Sequence, residues 1–206
     1  MTFAVDQGSY DWIQERVGYV TASRFKDVMG RLKTGLPNQA CKDYLVETVC
    51  ERLTGLPATK FSNAAMAWGT EMEPEARQAY CIKTGNHVDE VSFIKHQTLM
   101  AGASPDGIIE LEGVLEIKCP NTSTHMETLL NGMDEMHQYQ IQGQLWMTGY
   151  KWADFVSYDP RLPPGLQLFI QRVQRDNKFI AELEAGVRDF LNIVDQRVDA
   201  LKALSI

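Results

Sequence analysis

Two carboxylates and an amine stand close together in the middle of the chain: Ser104-Pro105-Asp106-Gly107 leads, ten residues after Asp106, to Glu116-Ile117-Lys118. That set of groups suits phosphodiester hydrolysis. The reaction needs a cation to absorb charge building on the phosphoryl oxygens, a deprotonated water in line with the leaving oxygen, and a nearby proton source. Asp106 and Glu116 could hold the cation. On a strand, Lys118 shares a face with Glu116, so its ammonium can reach the attacking water. The same residues also fit a surface hairpin in which Asp106 starts a turn and Glu116 and Lys118 form a solvated pair. The flanking sequence argues against that. Ile108-Ile109, Val114-Leu115 and Ile117 read as strands belonging in a core, and charges placed there need a reason.

Those strands need a scaffold, and the periodicity of the chain predicts one. Residues 9–17 read as a helix, and Thr21-Ala22-Ser23 offers a hydroxyl N-cap for a second helix ending at Gly30. Gly35 to Asn38 reads as a loop. Cys41, Tyr44, Leu45, Val49 and Leu53 recur at helical spacing over residues 40–53, stopped by Gly55 and Pro57. A further helix over 64–84 has Pro74 as a kink or restart and Gly85 as its stop.

From His87 the period becomes that of strands: 87–95, 99–103, 107–111 and 114–119, with Glu112-Gly113 as a tight turn. An ideal two-residue turn there pairs Leu111 with Val114, sets Asp106 opposite Cys119 and leaves it on the other face from Glu116. The site therefore requires either a bulge at Gly113 or Asp106 held in the Pro105-Asp106-Gly107 bend. Helices over 124–131 and 135–148, strands over 152–158 and 167–173, and a long amphipathic helix from 177 to 204 complete the chain. That last helix is expected as a lid on the sheet or against a partner.

Composition excludes several other classes. The 206 residues, 44% hydrophobic and 23% charged, fit one globular domain spanning residues 1–206, without repeats or low-complexity tracts. Apolar runs are short and Met1-Thr2-Phe3-Ala4 lacks a signal core, so neither a membrane span nor export is indicated and a cytoplasmic protein is expected. Cys41, Cys50, Cys81 and Cys119 form no Cys-x-x-Cys pair, and His87, His96, His125 and His137 have no ligand spacing. The net charge of −7 counts against coating nucleic acid by bulk attraction, but leaves room for a confined basic groove.

The order of elements, with Pro105-Asp106 followed by Glu116-Ile117-Lys118, resembles the PD-(D/E)XK nuclease superfamily. That implies an α/β (α+β) fold with a restriction-endonuclease-like core, a central mixed β-sheet flanked by helices. Blocks outside the motif are similar to the phage lambda-type alkaline exonucleases of the YqaJ-like viral recombinase family. These are Trp12 through Arg16-Val17-Gly18 to Thr21-Ala22-Ser23, Trp68-Gly69 with Glu73, Ala103 to Gly107, Leu115 to Pro120, Gln140-Ile141-Gln142 with Trp146, and Tyr158-Asp159-Pro160-Arg161. They occur in family order over roughly residues 10 to 175. The 31–40 loop does not align, and His137 stands where the family can carry an aromatic hydroxyl.

On matching positions the resemblance implies that Asp106, Glu116 and the Ile117 backbone carbonyl bind Mg2+, with Mn2+ as a plausible substitute and one or two ions present. Glu73 would reach the metal directly or through water. Thr70-x-x-Glu73 also fits a capping box, in which Glu73 reaches back to the Thr70 amide. Lys118 would position or deprotonate the water, or stabilise the transition state, with a pKa that desolvation could lower. Gln140 would stand at the site while Gln142 points to another face, and Arg16, Ser23 and Ser104 would bind a 5′ phosphate. The implied activity is 5′-to-3′ digestion of one strand at double-stranded DNA ends to 5′ mononucleotides, leaving a 3′ overhang. A homotrimeric ring and a single-strand annealing protein would be its partners in recombination. An endonuclease or iron–sulfur nuclease of the superfamily, or a catalytically dead DNA-binding scaffold, are the competing expectations.

Overall fold

The computed structural model of the protein describes residues 7–58 and 64–204, so the expectation drawn from Met1 to Ala4 lies outside the described residues. Five strands form the larger sheet: β2 (Val88–Asp89), β5 (Gly107–Ile109), β6 (Gly113–Lys118), β7 (Trp152–Tyr158) and β8 (Leu168–Gln174), in that spatial order. β6 runs parallel to β7 and antiparallel to β5, so the sheet is mixed. A three-stranded sheet holds β1 (Val20–Thr21), β4 (Ala101–Ala103) and β3 (Ile94–Lys95), ordered β1-β4-β3. The single strand expected over 87–95 is thus two short strands in different sheets.

The hairpin between β5 and β6 shows why Asp106 and Glu116 meet. Glu110 and Leu111 both have positive φ (52° and 59°), and the Glu112 amide donates to the Ile109 carbonyl at 2.9 Å. That is a type I′ turn built without glycine or asparagine. It sits two residues before the expected Glu112-Gly113 turn. The ladder nevertheless pairs Ile109 with Gly113 and Gly107 with Leu115, so the β6 side carries an extra residue at Glu112-Gly113. The bulge restores the face match, because in this register Asp106, in the bend just before β5, falls opposite Glu116. Gly113 also accommodates Trp152, whose ring would lie 2.4 Å from an added Cβ.

α4 (Ala64–Thr84) packs on the Leu115/Ile117 face of β6, in a cluster with Ala76, Tyr80 and Val156. It runs through Pro74 without interruption. Tyr80 fixes its position by donating its hydroxyl to Asp154 on β7 at 2.7 Å, and Arg172 from β8 holds the same carboxylate with two bonds of 2.8 and 2.9 Å. α6 (His137–Thr148) covers the opposite face, where Ile141 and Leu145 meet Val114 and Phe155. α5 (Thr122–Asn131) precedes it, with His125 buried between Ser157 and the Leu166 carbonyl.

The N-terminal elements depart from expectation in detail. After α1 (Tyr10–Glu15), Thr21 belongs to β1. The helix expected to continue to Gly30 is a 3-10 turn at Ala22–Arg24 followed by the short α2 (Phe25–Val28). Parallel pairing of Val20 with Ala101 draws that segment into the small sheet. α7 (Asn177–Ala203) packs mainly on the N-terminal helices rather than over the large sheet. Leu183, Val187, Phe190, Leu191, Val194 and Val198 pack instead with Phe25, Val28, Tyr44, Leu45 and Val49, the last three from α3 (Gln39–Thr54). Only its first turn, through Ile180, joins the cluster under the large sheet.

Candidate active site

β6 alternates along its length. Leu115 and Ile117 enter the core with α4, while Val114, Glu116 and Lys118 face the other way. Glu116 is almost wholly buried, 1% exposed, and both its oxygens are engaged. Lys118 Nζ lies 2.5 Å from Oε1, and Gln144 Nε2 donates to Oε2 at 2.5 Å. The Oε1 atom has no hydrogen bond of good geometry, so the ammonium beside it is its sole compensation among the described residues. Asp106 accepts the Ile117 amide at 2.6 Å, and its own amide donates to the Leu115 carbonyl at 3.0 Å. Because β5 begins only at Gly107, the Asp106 side chain supplies an acceptor where the ladder has ended. Gly107 brings this bend close to β2, since an added Cβ would lie 2.3 Å from Val88 Cγ1.

The electrostatics show a crowded anionic site. Burial pushes the Asp106 carboxyl well above the usual carboxylate range, and the charges of Glu116 and Glu73 push it further. Glu73 is raised in the same way, by burial first, with Arg77 opposing and Glu116 adding to the shift. Burial alone would lower the Lys118 ammonium, as the sequence suggested. Among the protein groups, Glu116 and Asp106 outweigh it and hold the group above its ordinary value. Cys119, the next residue, is a buried thiol pushed up to about 12, mainly by desolvation.

Glu73 lies in the interior of α4, and its carboxylate takes the Arg77 guanidinium at 2.8 Å, with Arg77 also reaching Glu90 at 2.7 Å. With the helix already running from Ala64, Thr70 is not an N-cap, and the capping-box alternative fails. Glu73 remains coupled to the site through its charge.

Gln140 and Gln144 divide differently from expectation. The residue touching Glu116 is Gln144, fully buried. Gln140 lies one turn earlier and lines a cavity of about 210 Å³ together with Trp12, Arg16, Ser23, Ser104 and Gln144. The expected phosphate ligands are therefore brought together, and Gln140 joins them. Trp12 Nε1 donates to Ser104 Oγ at 3.2 Å, while the Arg16 guanidinium stacks 3.8 Å above the Trp12 ring. Burial lowers the Arg16 pKa. Gln142 faces elsewhere, donating to the Gln174 carbonyl and accepting the Asp176 amide. His137 packs against Phe155, its ring centroid 5.1 Å away, and burial lowers its pKa.

Gln144 and Trp12 escaped a role in the sequence reading. Gln140 and Gln144 are one helical turn apart, a spacing that puts both on one face and could have flagged the pair. α6 sits close enough for this because residue 143 is glycine: an added Cβ would lie 2.5 Å from the Phe25 ring.

Residues 11–151 match the YqaJ-like viral recombinase domain. The chain belongs to the YqaJ-like viral recombinase family. Among solved structures, this family member is similar to the alkaline exonuclease LHK-Exo from Laribacter hongkongensis, at 44% identity, 96% coverage of this chain and 98% of that one, with a TM-score of 0.88. LHK-Exo in complex with dAMP gives the same identity and coverage and a TM-score of 0.89. A phage-related exonuclease from Haemophilus somnus 129PT shares the fold, with a TM-score of 0.73 at 18% identity, covering 89% of this chain and 96% of that one. No curated protein matches the sequence. The mixed α/β architecture, with its flanking helices and long C-terminal helix, agrees with the exonuclease structures.

Among the described residues, no three carboxylate, imidazole or thiol groups form a ready-made metal cluster. The site nonetheless suits a hard cation. Asp106 and Glu116 are oxygen donors on facing strands, mutually repelling and short of positive charge, and Glu116 Oε1 lacks a hydrogen bond. No helix among the described residues is long and apolar enough to cross a membrane.

Proposed function

We propose that the protein, a nuclease of the viral recombinase family, is a Mg2+-dependent exonuclease. It would digest one strand of linear double-stranded DNA from the 5′ end and release 5′ mononucleotides. The observation that carries this reading is the adjacency of two sites. The Asp106/Glu116/Lys118 cluster and the Arg16/Ser23/Ser104 cavity share Gln144 as a common wall. A hydrolytic site beside a pocket that takes a terminal phosphate would act at ends. LHK-Exo's complex with dAMP, a nucleoside monophosphate, supports the same class of product.

Asp106, Glu116 and the Ile117 carbonyl would hold Mg2+, which when bound supplies charge neutralisation for the phosphoryl oxygens and a polarised water. Glu73 would act through water, with the Arg77 guanidinium opposing the rise that burial and Glu116 impose on its carboxyl. Lys118, held protonated by Glu116 and Asp106, is suited to donate a hydrogen bond to the attacking water and to stabilise transition-state charge. Arg16 offers two parallel donors to a phosphate, with Ser23 and Ser104 adding hydroxyls and the Trp12 ring fixing the guanidinium plane.

The remaining parts of the proposal rest on family resemblance: Mn2+ in place of Mg2+, one or two ions at turnover, a single nuclease domain closing into a homotrimeric ring, and delivery of the 3′ overhang to a single-strand annealing protein. Digestion of end-labelled linear and closed circular duplexes, with and without Mg2+, tests the core claim. Release of labelled 5′ mononucleotides from the linear form alone is expected. Cutting of the circle would replace this reading with an endonuclease, and inactivity with intact binding would replace it with a scaffold.

A further inference from the structure

The two sites are joined through a single side chain. Gln144 is fully buried, its Nε2 donates to Glu116 Oε2 at 2.5 Å, and its residue forms part of the cavity wall beside Arg16, Ser23 and Ser104. Its own Oε1 is buried and has no hydrogen-bond partner among the described residues. A buried amide oxygen left bare is unfavourable. The orientation that leaves it bare persists because the amino group must face the Glu116 carboxylate.

Glu116 is thereby clamped by Lys118 on one oxygen and Gln144 on the other, which fixes its plane. Gly143 seats α6 against Phe25, placing Gln140 and Gln144 along the seam between cavity and strand. A phosphate oxygen entering the cavity can accept the second hydrogen of Gln144 Nε2, and any shift of the amide that results is transmitted to the carboxylate it holds.

We propose that Gln144 is a positioning residue that couples occupancy of the end cavity to cation binding at Glu116. The coupling rests on the nuclease reading above and extends it, because it makes an ordered 5′-phosphorylated end and a bound cation favour one another. Such coupling is reciprocal: a factor gained by the cation from the end is the same factor gained by the end from the cation. Loss of a hydrogen bond that orients a metal-binding carboxylate typically weakens the metal by about 10–100-fold.

The test is calorimetric and does not depend on turnover. Mg2+ is titrated into the wild type, Gln144→Ala and the volume-matched Gln144→Met. Each protein is measured alone, then with a short duplex whose terminal linkages resist hydrolysis and whose ends carry either a 5′ phosphate or a 5′ hydroxyl. In the wild type, Mg2+ should bind more tightly with the phosphorylated duplex than with the hydroxyl one. Both variants should bind Mg2+ alone about tenfold or more weakly, and the difference between the two duplexes should vanish. Wild-type-like Mg2+ affinity in a Gln144→Met protein of unchanged melting temperature would overturn the proposal. So would a phosphate dependence that survives both substitutions. A wild type that binds no Mg2+ would overturn it together with the nuclease reading, and so is distinct from failure at Gln144 alone.

Discussion

At the scale of single residues the proposed chemistry rests on Asp106, Glu116 and Lys118, and substitution tests it. Lys118→Ala and Asp106→Ala are each expected to lower mononucleotide release by about 10²–10⁴-fold at a temperature where both variants are folded, although removing the partner of Glu116 Oε1 or of the Ile117 amide also lowers the melting temperature. Full activity in either variant would remove the mechanism. Arg16→Ala should erase most of the preference for 5′-phosphorylated over 5′-hydroxyl ends, read as the ratio of kcat/KM on the two substrates. An equal loss on both would place Arg16 outside the phosphate cavity. Asp159 gives a pH signature of its own. Burial would raise its carboxyl, but hydrogen bonds from Arg161 at 2.7 and 2.9 Å outweigh that and hold the pKa at about 2. A folded-state pKa below the unfolded value contributes stability above about pH 4 that is lost as pH falls towards 2. Urea unfolding of wild type and Asp159→Asn should therefore differ at pH 6, by less at pH 3, and converge only as pH falls through about 2. A constant gap would assign the difference to packing.

Among the elements, what could be read from the sequence depended on whether the determining contact was local. Helical spacing of Tyr44, Leu45 and Val49 is a local signal, and α3 follows it closely. The site helices and the succession of four strands from Gly107 onward were legible for the same reason. The hairpin turn was not. Glu112-Gly113 carries the composition of a turn, yet the chain turns at Glu110-Leu111, in left-handed conformations that disfavour both residues. Parallel pairing of β6 with β7 through Trp152, and the Trp152 ring seated over Gly113, fix the strand end from a distance. No window of local sequence contains that contact. Gln144 was missed likewise, because its meaning lies in Glu116, far off in sequence. Leu111 is 71% exposed, so Leu111→Gly should relieve the turn at little packing cost and raise stability by roughly 0.5–1 kcal/mol. An unchanged or lower unfolding midpoint would show that the tip is not strained. In the helical layer, Leu183→Ala should cost about 2–5 kcal/mol by opening a cavity between α7 and α3, measurable by chemical denaturation.

For the whole molecule, the net charge of −7 restricts how it can stay on a polyanion. Attraction spread over the surface would not suffice, so the proposed retention on DNA would be topological or confined to a basic groove or the end pocket. Light scattering on the purified protein should give a mass near three times the 23.3 kDa chain. Complexes loaded on linear duplex should then keep digesting after a chase with excess competitor. A monomeric mass with immediate arrest in the chase would leave the end cavity as the sole anchor.

The Ile117 amide has an unusual position in this arrangement. Its hydrogen is donated to the carboxylate of Asp106 rather than to a carbonyl of the neighbouring strand. In a nitrogen–proton correlation spectrum that single backbone resonance should register each change in what Asp106 carries. Proton, cation and vacant carboxylate would each leave a distinct shift, in a protein that needs no probe attached.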